Sequence, residues 1–181
     1  NSSGLAFFSW DNTLRWRGLL TQGFGVETEF TVPVRYQRFA QATGASADDN
    51  RSGLAVGAQA VHRRQYGSSS ASLGFTLEKL FASGRNFRSW TLGLPVGWQK
   101  PVLPWWGLGL RLNLIPSTVI YAGSVTARRD FNLTFLASIS KRFLPRLSTS
   151  LDFLVLTNPS NVDVASYNKQ SVTLLVSYDL F

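Results

Sequence analysis

The sequence predicts an all-β chain, an antiparallel up-and-down β-barrel that crosses a membrane. Three observations carry this. Apolar residues occupy every second position in about ten short runs, and Gly, Ser, Thr and charged residues hold the positions between. A period of two separates these sets onto the two faces of a strand, whereas a helix would mix them. The aromatic residues share the apolar set, and the charges share the other. That is the pattern of a barrel with lipid outside and a polar lining within. The chain also lacks a helix-length apolar segment. Its longest uncharged stretch, Leu112 to Ala127, contains Asn113, Pro116, Ser117 and Thr118, and so falls short of the ~20 apolar residues a spanning helix needs.

Composition agrees with one domain over residues 1–181. The chain is 44% hydrophobic and 15% charged, too polar for a helical membrane protein. It has no cysteine, which excludes a disulfide framework and thiolate metal sites. No signal peptide opens it, and Asn1-Ser2-Ser3-Gly4 reads as a mature or trimmed start, since a barrel would need export. The formal charge is +8, but the basic residues are scattered, with pairs only at Arg63-Arg64, Arg128-Arg129 and Lys141-Arg142. A nucleic-acid binder would gather them into one patch, so no nucleic-acid partner is expected. Several basic residues fall at predicted strand ends, where lipid phosphates would meet them.

Taken in order, a weak strand covers Leu5–Trp16 and the clearest covers Phe24–Arg38. There Phe24, Val26, Phe30, Val32, Val34 and Tyr36 share one face, and Glu27, Glu29, Thr31, Arg35 and Gln37 the other. Placing the charged set in lipid would cost several kcal/mol, so it faces a lumen. Weaker alternation follows at Leu54–Tyr66 and Ala71–Phe81. In the next strand Trp90, Leu92, Leu94, Val96 and Trp98 oppose Thr91, Gly93, Gly97 and Gln99. Eight residues separate the two tryptophans, ~26 Å at ~3.3 Å per residue, or roughly 20 Å along the normal at ~40° tilt. Each therefore reaches one interfacial girdle of an apolar band ~25 Å tall. The girdle set is Tyr36, Trp90, Trp98, Trp106, Phe131 and Phe143.

From Trp105 to Thr126 the apolar phase is even through Leu114 and odd at Val119, Tyr121 and Val125. Pro116 cannot donate to a ladder and suits a tight turn. This predicts two strands divided at Ile115–Thr118. Strands at Phe131–Ser140, Ser150–Val155 and Ser171–Phe181 complete ten. An even count places both ends of the chain on the periplasmic side. The outward loops are then Arg17–Gly23, Gly67–Ser70, Lys100–Pro104, Arg128–Asp130 and Pro159–Tyr167, and the long Gln41–Gly53 connection is periplasmic. The alternative is eight strands plus an amphipathic N-terminal segment, which puts that connection outside.

The candidate lumen residues are Glu27, Glu29, Arg35, Gln59, Glu78, Arg111, Asn113 and Asp152. The two acids Glu27 and Glu29 have the spacing of a catalytic pair, but lumen carboxylates neutralised by Arg35, Arg63 or Arg111 are the plainer reading, because sheltered charges are normally paired. Small residues on the same parity, Gly57, Gly74, Gly93, Gly97, Gly107, Gly109, Ser72, Ser148 and Ser150, either leave space within the lumen or relieve curvature. About ten strands make a barrel that side chains can nearly fill, so a wide channel is not expected. His62, the only histidine, lies near Ser68, Ser69 and Ser70. An imidazole activates a neighbouring hydroxyl, so His62 is the candidate for catalysis, although no third group orients it. Its parity faces lipid, and an interfacial side chain is the alternative. No cofactor and no metal site is expected, since metal-ligating residues do not cluster.

The alternating strands and the terminal Phe181 resemble the bacterial outer-membrane β-barrel proteins. The resemblance implies an integral protein of the Gram-negative outer membrane, with outer-membrane lipids and lipopolysaccharide as neighbours. It also implies recognition by the barrel-assembly machinery through the last strand, with Tyr178 and Phe181 as the assembly signal. Here Tyr178 is one place out of phase with Phe181. The architecture serves pores, enzymes, adhesins and anchors alike. The expected function is a narrow, porin-like pore or a membrane-embedded scaffold subunit with protein partners in an envelope assembly. The alternative is a lipid-modifying hydrolase or acyltransferase using His62.

Overall fold

A computed structural model describes residues 9–23, 25–39, 46–124, 127–144 and 146–178. It is all-β, with ten strands in one antiparallel up-and-down sheet: β1 Ser9–Thr21, β2 Val26–Phe39, β3 Gly53–Tyr66, β4 Ser69–Ala82, β5 Ser89–Gly93, β6 Val96–Leu103, β7 Leu108–Tyr121, β8 Arg129–Leu144, β9 Leu147–Asn158 and β10 Tyr167–Tyr178. Among the described residues no helix is long and apolar enough to cross a membrane.

The ten strands fill nine rows. β5 and β6 both lie between β4 and β7. Their register is continuous: Thr76 faces Gly93 and Leu73 faces Val96, three residues apart on each side. The gap is at Leu94-Pro95, where proline has no N–H to give. Its carbonyl still accepts the Gly74 N–H at 2.7 Å.

The division expected at Ile115–Thr118 is absent. β7 runs unbroken through Pro116, paired with β8 from Leu108↔Lys141 to Ile120↔Arg129. Pro116 keeps its place because its carbonyl accepts the Leu94 N–H at 2.9 Å; a strand position that only accepts does not need a donor. The apolar phase changes because the sheltered face itself turns apolar, at Ile115, Val119 and Tyr121. The first strand also extends beyond the expected Trp16, to Thr21, with Leu14, Trp16 and Leu20 on one face and Arg17 on the other.

This single crossing re-sorts the connections. Four short ones, 22–25, 67–68, 104–107 and 145–146, lie at one end of the sheet, the turn end. The longer 40–52, 83–88, 122–128 and 159–166 lie at the other, the loop end. The connections at Arg128–Asp130 and Pro159–Tyr167 are thus opposite those near Arg17–Gly23, Gly67–Ser70 and Lys100–Pro104, and the long Gln41–Gly53 connection joins the loop end. β1 begins at the loop end and β10 finishes at the turn end, so the two outermost strands do not end on one side.

Gly107, expected inside a strand, instead closes a single 3-10 turn at Pro104–Trp106 with φ 65°. A side chain there would be strained, and a Cβ would meet the Arg142 carbonyl at 2.7 Å.

Candidate functional site: a two-faced sheet around a polar cavity

Side-chain parity divides the sheet into a sheltered and an open face. The sheltered face holds the buried positions Thr31, Ala55, Ser70, Ala82, Ser89 and Asp130. It lines a cavity of about 700 Å³ between Ser68, Gln99, Arg111, Ser138, Ser150 and Leu175. A second space of about 410 Å³ lies between Arg63, Ser72, Gly97 and Asn113. All eight candidate lumen residues, Glu27, Glu29, Arg35, Gln59, Glu78, Arg111, Asn113 and Asp152, have sheltered parity.

Their charges pair along one wall. Arg17 Nε lies 2.8 Å from Glu29, Arg63 lies 3.7 Å from Glu27, and Arg35 lies 3.1 Å from Glu78. The last pair spans β3 from β2 to β4. It passes over Ala55 and Gly57, whose small side chains leave the way open. Arg111 was expected among the partners of the two glutamates; it pairs instead in register with Gln99 and Ser138 and shares the smaller space with Arg63. Asp152 accepts from Ser138 Oγ. Among the described residues Arg111 and Arg142 have no carboxylate within 4.0 Å, so the lining of the larger cavity, with Ser138, Ser140, Ser148 and Ser150, is hydroxyl-rich and cationic.

The glycines of this face act mainly through close approach. A Cβ at Gly97 would lie 2.5 Å from Ser72 Oγ, and one at Gly74 2.8 Å from the Pro95 ring. Their absence of side chains lets neighbouring rows close up.

Because Arg35 and Glu78 are each about two-thirds sheltered, truncating one strands the other. Arg35→Ala is expected to destabilise by about 1–2 kcal/mol, and adding Glu78→Ala to recover part of it, for a coupling of about 1 kcal/mol. A double-mutant cycle by urea unfolding checks this; strict additivity would mean that the pair does not hold the sheltered face.

The open face is different in kind. Across its middle it carries Leu14, Phe30, Val32, Val56, Leu73, Phe75, Leu92, Leu114, Phe135, Leu151, Phe153 and Leu174, most of them at least 36% exposed. Of the six aromatics expected at the interfaces, the five in strands have open parity, and Trp106, exposed in the turn before β7, lies beside Lys141 and Phe143. Tyr36, Trp90 and Phe131 stand near the loop end, and Trp98, Trp106 and Phe143 toward the turn end. Phe81 joins the first group, Tyr66 and Tyr178 the second. Every acidic residue of the described strands has sheltered parity. The strand cations with open parity, Arg38, Arg64, Lys79, Lys100, Arg129 and Lys141, all lie toward strand ends. Two sit among these aromatic rings: Lys79 Nζ is 4.6 Å from Trp90 and 5.8 Å from Phe81, and Lys141 Nζ is 4.7 Å from Phe143 and 5.2 Å from Trp106.

His62 also has open parity. Its Nδ1 lies 3.1 Å from Thr28 Oγ1, and Ser68–Ser70 are not its partners. No acid shares its face to orient the imidazole. Among the described residues no group of three metal-ligating side chains gathers. Tyr178 is exposed on the open face; Phe181 lies outside the described residues.

Sequence reasoning missed a polar knot at the loop end. Asp130, 3% exposed, accepts from Arg128 Nε at 2.9 Å and Ser160 Oγ at 2.6 Å. The Arg128 guanidinium stacks 4.4 Å from the Tyr121 ring, and its hydrogen bond to Asp130 raises its pKa further above the ordinary arginine value. The knot ties connection 122–128 to 159–166. Arg128-Arg129-Asp130 stood in the sequence only as a basic pair near a turn.

No protein-family model, curated protein or solved structure matches the chain.

Proposed function

We propose that the chain is an integral outer-membrane β-barrel, working as a narrow pore or as a membrane-embedded scaffold within an envelope assembly. The observation that carries this is the open face. It has an apolar middle without a charge, aromatic rings toward both ends, and cations but no acids at its margins. Lipid explains all three features, since tails accept the apolar band, the interface accepts Trp and Tyr, and phosphates accept Lys and Arg. A water-exposed sheet would have no reason to exclude acids from one whole face.

Short turns are characteristic of the periplasmic side and longer loops of the outside. The turn end therefore faces the periplasm, where β10 finishes with its Tyr178, the position an assembly signal read by the barrel-assembly machinery requires. Lipopolysaccharide phosphates would meet Arg38, Lys79 and Arg129 at the loop end. The loops there remain short for a receptor or adhesin, which favours a pore or scaffold.

The test is purification in detergent, a check for heat-modifiable migration, and current recording in a planar bilayer. Discrete steps would establish conduction; a folded, silent barrel would leave the scaffold role. If the protein conducts, Arg111→Glu is expected to move ion preference toward cations, because Arg111 faces the cavity without a carboxylate partner. An unchanged reversal potential would exclude Arg111 from the conduction path.

A further inference from the structure

Among the described residues the two outermost strands each have one paired edge. β1 pairs with β2 and β10 with β9, and the sheet order ends at these two. Within hydrocarbon, every unsatisfied backbone N–H or C=O costs several kcal/mol, so open sheet edges do not face lipid. The lipid-spanning reading, on which this inference rests, therefore requires a partner for both.

We propose that β1 and β10 pair with each other, in parallel, closing a nine-row barrel. Direction follows from the row count. Nine rows alternate, so the first and last run the same way, both from the loop end to the turn end. An even barrel, as expected from the sequence, would close antiparallel; the single row formed by β5 and β6 and the unbroken β7 together make the count odd.

Length and phase agree. β1 has 13 residues and β10 has 12. On the open face β1 presents Leu14, Trp16 and Leu20, and β10 presents Val172, Leu174, Val176 and Tyr178, all strongly exposed. On the sheltered face both are polar through most of their length, with Thr13, Arg15 and Arg17 against Ser171, Thr173 and Ser177. A seam joining them continues both faces without interruption.

Register follows from the slope of the paired rows. The row through Gly18 passes Phe30, Ala60 and Phe75 in the first half of the sheet. It continues through Leu94 and Pro116 to Leu133, Thr157 and Asn168. It thus starts near the turn end of β1 and arrives at the loop end of β10. This oblique climb is the stagger of tilted barrel strands. Nine rows ~4.8 Å apart at a tilt of ~40° accumulate a slip of roughly eleven residues around the circumference. Parity requires an even slip, ten or twelve; we take ten, which places Leu174 beside Leu14, Val176 beside Trp16 and Tyr178 beside Gly18. The tyrosine ring then covers the glycine, as aromatic residues do at sheet edges.

The chain has no cysteine, so paired cysteines report the seam without background. Leu14→Cys/Leu174→Cys is made alongside Leu14→Cys/Val172→Cys and Leu14→Cys/Val176→Cys. Each is oxidised in the membrane and run denatured, with and without reductant. The expected result is a reductant-sensitive shift within one chain for most of the inserted protein, strongest for Leu174. Strongest linkage to Val172 or Val176 also supports the parallel seam, displaced by two residues. A disulfide joining two chains would overturn the proposal, because the edges would then be filled by a second copy. So would the absence of any crosslink in all three variants when they remain heat-modifiable. Membrane recovery and heat-modifiable migration on the same samples report the lipid-spanning reading separately.

Discussion

Leu114→Arg is expected to destabilise the inserted protein by about 2–4 kcal/mol, the range for arginine on the lipid face at mid-membrane. Asn113→Glu, one residue earlier, is expected to change stability by less than about 1 kcal/mol. Leu114 lies at the middle of β7, between Val96 and Phe135, and is 40% exposed. Asn113 lines the smaller sheltered space with Arg63 and Arg111, where a carboxylate finds cations. The contrast depends wholly on what surrounds the open face. In water, a 40% exposed leucine tolerates arginine, and the two substitutions would then differ little. Urea unfolding in lipid vesicles, followed by tryptophan fluorescence, gives both values. A silent Leu114→Arg would sink the membrane assignment however well the aromatic girdles fit it.

The same period of two explains what was legible in the sequence. Side-chain parity is a local property of strand backbone, so Glu27, Arg35, Glu78 and Arg111 could be given a face without knowing any partner. The shared face of Trp90 and Trp98 followed for the same reason, since both have the same parity along their row. Strand boundaries were less accessible. Between Trp105 and Thr126 the phase of the apolar residues changes, and a rule that assigns apolar to lipid reads this as a break. Val119 and Tyr121 are apolar for another reason, since they fill the sheltered side near the loop end, where Tyr121 lies under Arg128. Conversely, Leu94-Pro95 sits in the most regular alternation of the chain, yet interrupts its strand label because proline lacks one donor. The charge pairs were the least visible. Which arginine meets Glu78 is set by register across three rows, and no spacing within one strand contains that information.

The loop-end knot is where a single substitution should matter most after the open face. Asp130→Ala is expected to cost about 3 kcal/mol. The carboxylate is almost wholly buried and holds both Arg128 and Ser160. Its removal leaves a guanidinium that is only 25% exposed without its anion, a loss of the kind that costs about 3–5 kcal/mol when fully buried. Partial exposure places the value at the lower end. Asp130→Asn keeps an acceptor for Ser160 but also removes the anion from Arg128, and is expected to cost about 2 kcal/mol. The damage should be local as well as global. Asn161 Nδ2 donates to the Ala127 carbonyl at 3.2 Å, and the Phe131 N–H donates to Pro159 O at 2.9 Å, so the two connections hold each other through contacts centred on Asp130. Limited proteolysis of Asp130→Ala should therefore open 122–128 and 159–166 together while the turn end stays protected. Cleavage confined to one connection, or equal stability of the Ala and Asn variants, would mean that Asp130 anchors only its own strand. The knot would then contribute nothing to how the loop end is held shut.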